Sequence, residues 1–114
     1  MLDALFGPAL PVLQGALGFE AARERVIAHN IANLNTPGYQ AKDLFRSVLA
    51  GEEQKLGYEE VTVDDPPQRP DGNNVNPETQ MVNLADAELR YRALTLMTSR
   101  YFHGLTSVIA GTGQ

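Results

Sequence analysis

The sequence contains no cysteine. Disulfides and thiolate-bound zinc are therefore excluded, and cysteine usage leaves the redox compartment open. A cationic excess is missing too: 9 Lys and Arg stand against 14 Asp and Glu, for a formal net charge of -5. Binding to nucleic acid requires a basic face that neutralises phosphates, so a general nucleic-acid binder is excluded, and docking on an anionic membrane is disfavoured for the same reason. No apolar run approaches the ~20 residues that cross a bilayer. The opening residues, Met1 to Pro8, lack the basic n-region of a cleaved secretory signal. The expectation is a chain that stays in the cytosol or leaves it by a route independent of such a signal. With 114 residues, 43% of them hydrophobic, there is room for one domain with a modest core and a large exposed surface.

Residues that carry chemistry are equally sparse. His29 and His103 fall one in each of two helical stretches, outside the spacing of a zinc-protease helix and without a carboxylate set to complete a metal site. Ser47, Ser99 and Ser107 lack the context of a nucleophile elbow. The pairs Glu52–Glu53 and Glu59–Glu60 lie in a middle rich in Pro, Gly and Asp, where solvated carboxylates are the ordinary outcome. No glycine-rich phosphate loop occurs. The sequence thus predicts a protein that is not an enzyme, with no catalytic residue, metal, cofactor or small-molecule substrate.

What is present is helix. The first pattern runs from about residue 11 to 35, with Leu10, Leu13, Leu17, Ile27, Ile31 and Leu34 in a row that Glu20 and Glu24 interrupt. Its end is signalled by Asn35, a residue that tolerates left-handed backbone, and by Pro37, which pushes Thr36 out of the helical region. Pro37-Gly38 suits the centre of a type II turn. Residues 36–76 form a turn and an irregular middle, in which Lys42 to Ala50 reads as a short helix and Tyr58 to Val63 as a short strand. Asn76-Pro77-Glu78 then supplies an Asn cap, Pro at the first helical position and an acid in the first turn.

The second helix, residues 77–110, carries a heptad seam: Leu84, Ala87, Tyr91, Leu94, Thr98, Tyr101, Leu105 and Val108 alternate spacings of three and four. The expected fold is mainly α, one domain over residues 1–114, with the N- and C-terminal helices paired as a coiled-coil-like hairpin. A second row, Val82, Leu89 and Leu96, recurs every seven residues on the side away from the seam. A helix that is apolar on opposite sides must be covered on both. Either the middle folds back over the second side or other chains cover it, and self-association is expected.

One constellation is more specific than a helix stop requires: Asn30-Ile31-Ala32-Asn33-Leu34-Asn35-Thr36-Pro37-Gly38-Tyr39. Asn30 and Asn33 lie one turn apart on one face, able to satisfy orphan carbonyls at the helix end or the backbone of a neighbouring chain, and Tyr39 can pack back after the turn. This stretch resembles the N-terminal signature of flagellar rod and hook proteins, with Asn30, Ile31, Ala32, Asn33, Thr36, Pro37, Gly38 and Tyr39 at its fixed positions. Asp71-Gly72-Asn73-Asn74-Val75, Ala87 to Leu94 and the ending Leu105 to Ile109 are similar to a proximal-rod member of the family.

The resemblance covers both ends, roughly 60 residues, and leaves about residues 40–70 unmatched. It implies a structural subunit of the basal-body rod in the periplasmic space, passed through the flagellar type III channel without a cleaved signal. The implied partners are other rod subunits, the membrane ring and the export gate. It also implies a short gate-recognition element, which Phe6 and Leu10 fit by spacing, although packing of a short helix accounts for that pair equally well. A different rod subunit and a soluble coiled-coil adaptor are the competing readings.

Overall fold

A computed structural model of the chain describes Gly7 and residues 9–48, 56–63 and 67–111. In chain order the elements are α1 (Ala9–Ala32), β1 (Lys42–Val48), β2 (Leu56–Thr62) and α2 (Pro77–Ile109). The start of α2 follows directly from its sequence. Asn76 keeps an extended backbone (φ -99°, ψ 113°), and its side-chain oxygen accepts from the amides of Glu78 at 3.0 Å and Thr79 at 3.4 Å. Two of the orphan donors of the first turn are thereby satisfied, while Pro77 gives up an amide that would have had no partner.

The end of α1 is tighter than periodicity alone suggests. Past Ala32 the amides of Asn33 and Leu34 bond to carbonyls three residues back, at 3.2 Å each, so the chain narrows into 3₁₀ geometry before it leaves the helix. The amide of Tyr39 then closes a turn on the Thr36 carbonyl at 3.2 Å, with Pro37 and Gly38 at its centre and Gly38 at φ 74°. This is the type II pattern, in which the third residue needs positive φ.

The middle departs from expectation. Lys42–Val48 is a strand, not a helix, and it pairs antiparallel with Leu56–Thr62 from Lys42 opposite Thr62 to Val48 opposite Leu56. An isolated helix of nine residues lacks the length to offset its nucleation cost. The ladder to β2 and the side chain of Asn30 satisfy the same backbone groups without that cost. The hairpin leans on α1, where the Tyr58 and Phe19 rings meet edge to face with centroids 6.1 Å apart.

The two helices form the expected hairpin. Arg23 reaches Asp86 at 3.0 Å and Asn30 reaches Gln80 at 2.9 Å, so α1 and α2 run in opposite directions. Among the described residues the buried apolar set is small: Leu13, Ala22, Ile27, Ala41, Val75 and Ala87. Glu20, Asn30, Asn73, Asn74 and Gln80 are buried beside it, so polar side chains make up nearly half of the described interior. The weak stripe of α1 is explained by this, because its buried residues are Leu13, Glu20, Ala22, Ile27 and Asn30, a mixture of apolar and polar side chains. Such a core can hold only if its polar members are bonded to one another.

Arg23 ties three elements together, meeting Asp43 of β1 at 3.4 Å and Asp86 of α2, which also receives Arg90 at 3.0 Å. Burial pulls the Arg23 guanidinium down, but the bond from Asp86 and the charges of Asp43 and Glu20 outweigh it and leave the group raised. The Asp86 carboxyl is correspondingly held below its usual range, first by Arg23 and then by Arg90. A carboxylate with a lowered folded pKa adds stability above its unfolded value of about 3.9 and loses it as pH falls through the folded value. Asp86→Asn should therefore lower the urea midpoint, read by circular dichroism, at pH 7. The gap to the unmodified chain should hold down to about pH 4 and close below it.

Candidate assembly site

The Asn30 side chain, fully buried, is the most completely bonded group in the described chain. Its amide nitrogen donates to the Lys42 carbonyl at 2.7 Å and to Gln80 Oε1 at 2.9 Å. Its oxygen accepts from the Lys42 amide at 3.0 Å and from the Tyr39 hydroxyl at 3.1 Å. A primary amide has two donors and two principal acceptor sites, and here all four are used. By engaging both backbone groups of Lys42, Asn30 stands in for a neighbouring strand at the point where β1 begins.

Asn73 does for the helix end what Asn30 does for the strand. Its Nδ2 lies 2.9, 3.1 and 2.8 Å from the carbonyls of Asn33, Leu34 and Thr36, and its Oδ1 accepts from the Val75 amide at 2.7 Å. These carbonyls are the ones that a terminating helix leaves without intrahelical partners. Arg69 adds a bond from Nη2 to the Leu34 carbonyl at 2.5 Å. Asn74 completes the set, accepting from the Ala41 amide at 2.6 Å and donating to the Val63 carbonyl at 2.5 Å. The Gly38 amide donates to the Asp71 carbonyl at 2.9 Å, and a Cβ on Gly72 would lie 3.3 Å from the Gly38 Cα. Two turns with positive-φ glycines are thus stacked backbone to backbone.

The motif residues divide accordingly. Asn30 and Tyr39 enter the buried network. Asn33 stays on the helix end, where it donates to the His29 carbonyl at 2.8 Å and accepts from the Thr36 hydroxyl at 3.1 Å. Ile31 is half-buried, whereas Ala32, Pro37 and Gly38 are exposed. The orphan carbonyls of α1 are bonded within the chain, by Asn73. Sequence reasoning identified Asn73 and Asn74 only as parts of a turn and gave Gln80 no role. The available signal was polarity: three Asn and a Gln cluster around the start of an otherwise apolar helix, more than a cap requires.

Along α2, Ala87 is fully buried, Leu84, Leu94, Tyr101 and Leu105 are half-buried, and Tyr91 and Val108 are exposed. Val82, Leu89 and Leu96 are 67%, 68% and 53% exposed, and Leu96 also borders the groove between the helices that Glu24 and Leu84 line. The hairpin lies against α1, so this row is left open within the chain. Leu10 is half-buried on α1, and Phe6 lies outside the described residues. Among the described residues no group of three His, Asp or Glu is placed to hold a metal ion, and no helix is long and apolar enough to cross a membrane.

Asn30→Ala would strand the Lys42 amide and carbonyl, the Tyr39 hydroxyl and Gln80 in a buried space. At about 1–3 kcal/mol for each unsatisfied group, the expected loss is at least 3 kcal/mol in urea unfolding. Asn33→Ala, on the surface, should cost about 1 kcal/mol or less. Gly38→Val should destabilise by about 1–2 kcal/mol through its positive φ, and Gly38→Asn by less, because asparagine tolerates that region.

Comparison with known proteins agrees with this organisation. A family model described as Flagella basal body rod protein matches residues 10–40, which span α1 and the turn after it. Flagellar basal body rod protein FlgB of Salmonella typhimurium is 32% identical over 138 residues, covering 97% of this chain and 99% of its own length. FlgB of Escherichia coli K12 is 32% identical over 135 residues (96% and 97%), and FlgB of Bacillus subtilis 29% over 126 residues (95% and 98%). The chain belongs to the FlgB family of flagellar basal body rod proteins.

Proposed function

We propose that this structural rod subunit is held in the proximal rod by contacts on the outer face of α2, after export through the flagellar type III channel. The observation that carries the reading is the exposed row Val82, Leu89 and Leu96, set at seven-residue intervals on a helix whose other side already packs on α1. Burying each such side chain against a neighbour contributes roughly 1.5–3 kcal/mol by apolar transfer. A row of three supplies a contact that a single hairpin cannot provide for itself.

The asparagine network fits the same role. It fixes where α1 ends, where β1 begins and where α2 starts, so that both helices are presented at a set angle before any neighbour arrives. Neighbouring rod subunits are the occupants of the outer face. The membrane ring and the export gate are the further partners of a subunit at the base of the rod, within the periplasmic space. Phe6 and Leu10 are the candidates for recognition by the gate. The function is structural, and no step of it calls for a catalytic group.

Leu96→Glu tests the outer face. It leaves Leu84, Ala87, Leu94 and the Asn30 network untouched, yet sets a charge where an apolar contact is needed, at a cost above that of the lost burial. Cells carrying it should contain the subunit at near-normal levels but lack filaments and swimming motility. Normal motility would mean that Leu96 faces solvent in the rod, and would defeat the proposed face.

A further inference from the structure

Asp71-Gly72 is the only place in the sequence where an aspartate or asparagine is followed by glycine. A glycine in second position puts no side chain beside its peptide nitrogen and leaves the backbone free to rotate. Nothing local then keeps that nitrogen from the aspartate carboxyl. Attack of the Gly72 nitrogen on the Asp71 Cγ forms a C–N bond and closes a succinimide ring. The amide proton and the carboxyl hydroxyl depart as water. Water then reopens the ring at one of its two carbonyls. Addition at the side-chain carbonyl restores aspartate. Addition at the main-chain carbonyl leaves Gly72 joined through Cγ, an isoaspartyl linkage with an extra methylene in the main chain. The sum is an isomerisation that needs only water.

In the folded chain each participant is engaged elsewhere. The Gly72 amide donates to the Arg69 carbonyl at 2.8 Å, and the Arg69 amide donates to the Asn73 carbonyl at 2.8 Å. With Gly72 at φ 83°, this is the hairpin loop in which a turn is followed by a left-handed glycine. Asp71 Oδ1 accepts from the Asn73 amide at 3.0 Å, and the Arg69 guanidinium lies 3.8 Å from the same oxygen. Ring closure requires the Gly72 amide to give up its proton and the carboxyl to swing from the Asn73 amide to the Gly72 nitrogen. Both bonds must break first. Asn73 resists that opening, being fully buried with its side chain on the carbonyls of Asn33, Leu34 and Thr36.

We infer that Asp71-Gly72 is a latent modification site: the folded turn keeps it as aspartate, and the unfolded chain converts it to isoaspartate, which the corner excludes. The exclusion follows from what the new linkage displaces. The Asp71 carbonyl, which accepts the Gly38 amide at 2.9 Å, would leave the main chain and become a free carboxylate. The extra methylene would fall where the Gly38 and Gly72 backbones are stacked so closely that a Cβ on Gly72 would lie 3.3 Å from the Gly38 Cα. Asn73 would move off the end of α1, leaving its carbonyls without their donor. The inference is independent of the outer face of α2.

Purified basal bodies and the full-length chain in concentrated guanidinium chloride would be incubated side by side at neutral pH. Isoaspartate at Asp71 is read by electron-transfer mass spectrometry. The denatured chain should gain it on the order of tenfold faster, or more, since in the rod only local opening frees the reacting groups. Asp71→Glu, denatured in the same way, should form no corresponding product on that timescale, because its ring would be larger. Equal rates in rods and denaturant would overturn the protection, and an unchanged denatured chain would overturn the site itself. The isoaspartyl chain, separated by reversed-phase chromatography, should have a lower urea midpoint by circular dichroism than the unaged chain. Equal midpoints would overturn the exclusion.

Discussion

The conformation of this chain depends on one buried amide. Asn30 closes on both backbone groups of Lys42, holds Gln80 across the helix pair and receives the Tyr39 hydroxyl. In a low-dielectric interior a fully satisfied group of this kind is stabilising and directional, while any alternative register leaves several donors and acceptors stranded. Asn73 and Asn74 extend the constraint to the end of α1 and the entry to β1. With a buried apolar set as small as Leu13, Ala22, Ile27, Ala41, Val75 and Ala87, shape alone would specify the corner poorly. Hydrogen bonds supply the specificity that large side chains supply in thicker proteins.

The apolar residues that would build a conventional core lie mostly outside it. Val82, Leu89, Leu96, Met97, Phe102, Val108 and Ile109 are exposed along α2, and the molecule is long and thin, 67 × 34 × 16 Å. A patch of this extent is uncommon on a monomer and marks a surface meant to be covered. The stability of such a chain cannot be separated from its assembly state, since anything that binds only the folded form adds to the folding free energy. On the proposed reading, neighbours in the rod complete the core that one copy lacks.

Much of this was legible in the residues, and the parts that were not have a common cause. The start of α2 is written in Asn76-Pro77-Glu78 and the turn in Thr36-Pro37-Gly38-Tyr39, because caps and turns use neighbours only a few residues apart. The helical hairpin follows from the three-four spacing of the seam in α2. The strand at Lys42–Val48 was mistaken for a helix because its determinants are distant: its partner strand does not begin until Leu56, and Asn30 is 12 residues back along the chain. The partners of Asn30, Asn73 and Asn74 were hidden for the same reason, at separations of up to 50 residues. An asparagine has the same local preferences whether it faces water or satisfies a remote carbonyl, so one sequence does not reveal which it does.

The chemistry of the corner carries a consequence for its surroundings. Its central bonds join side-chain amides, a tyrosine hydroxyl and the peptide backbone, with no ion pair among them. Bonds between neutral groups are also little affected by the ionic atmosphere that weakens exposed ion pairs. The corner at Asn30 is consequently less exposed to salt than the Arg23 ion pairs that tie the same three elements together. A joint made this way keeps its geometry as the surrounding salt changes, without any device to sense or correct for the change.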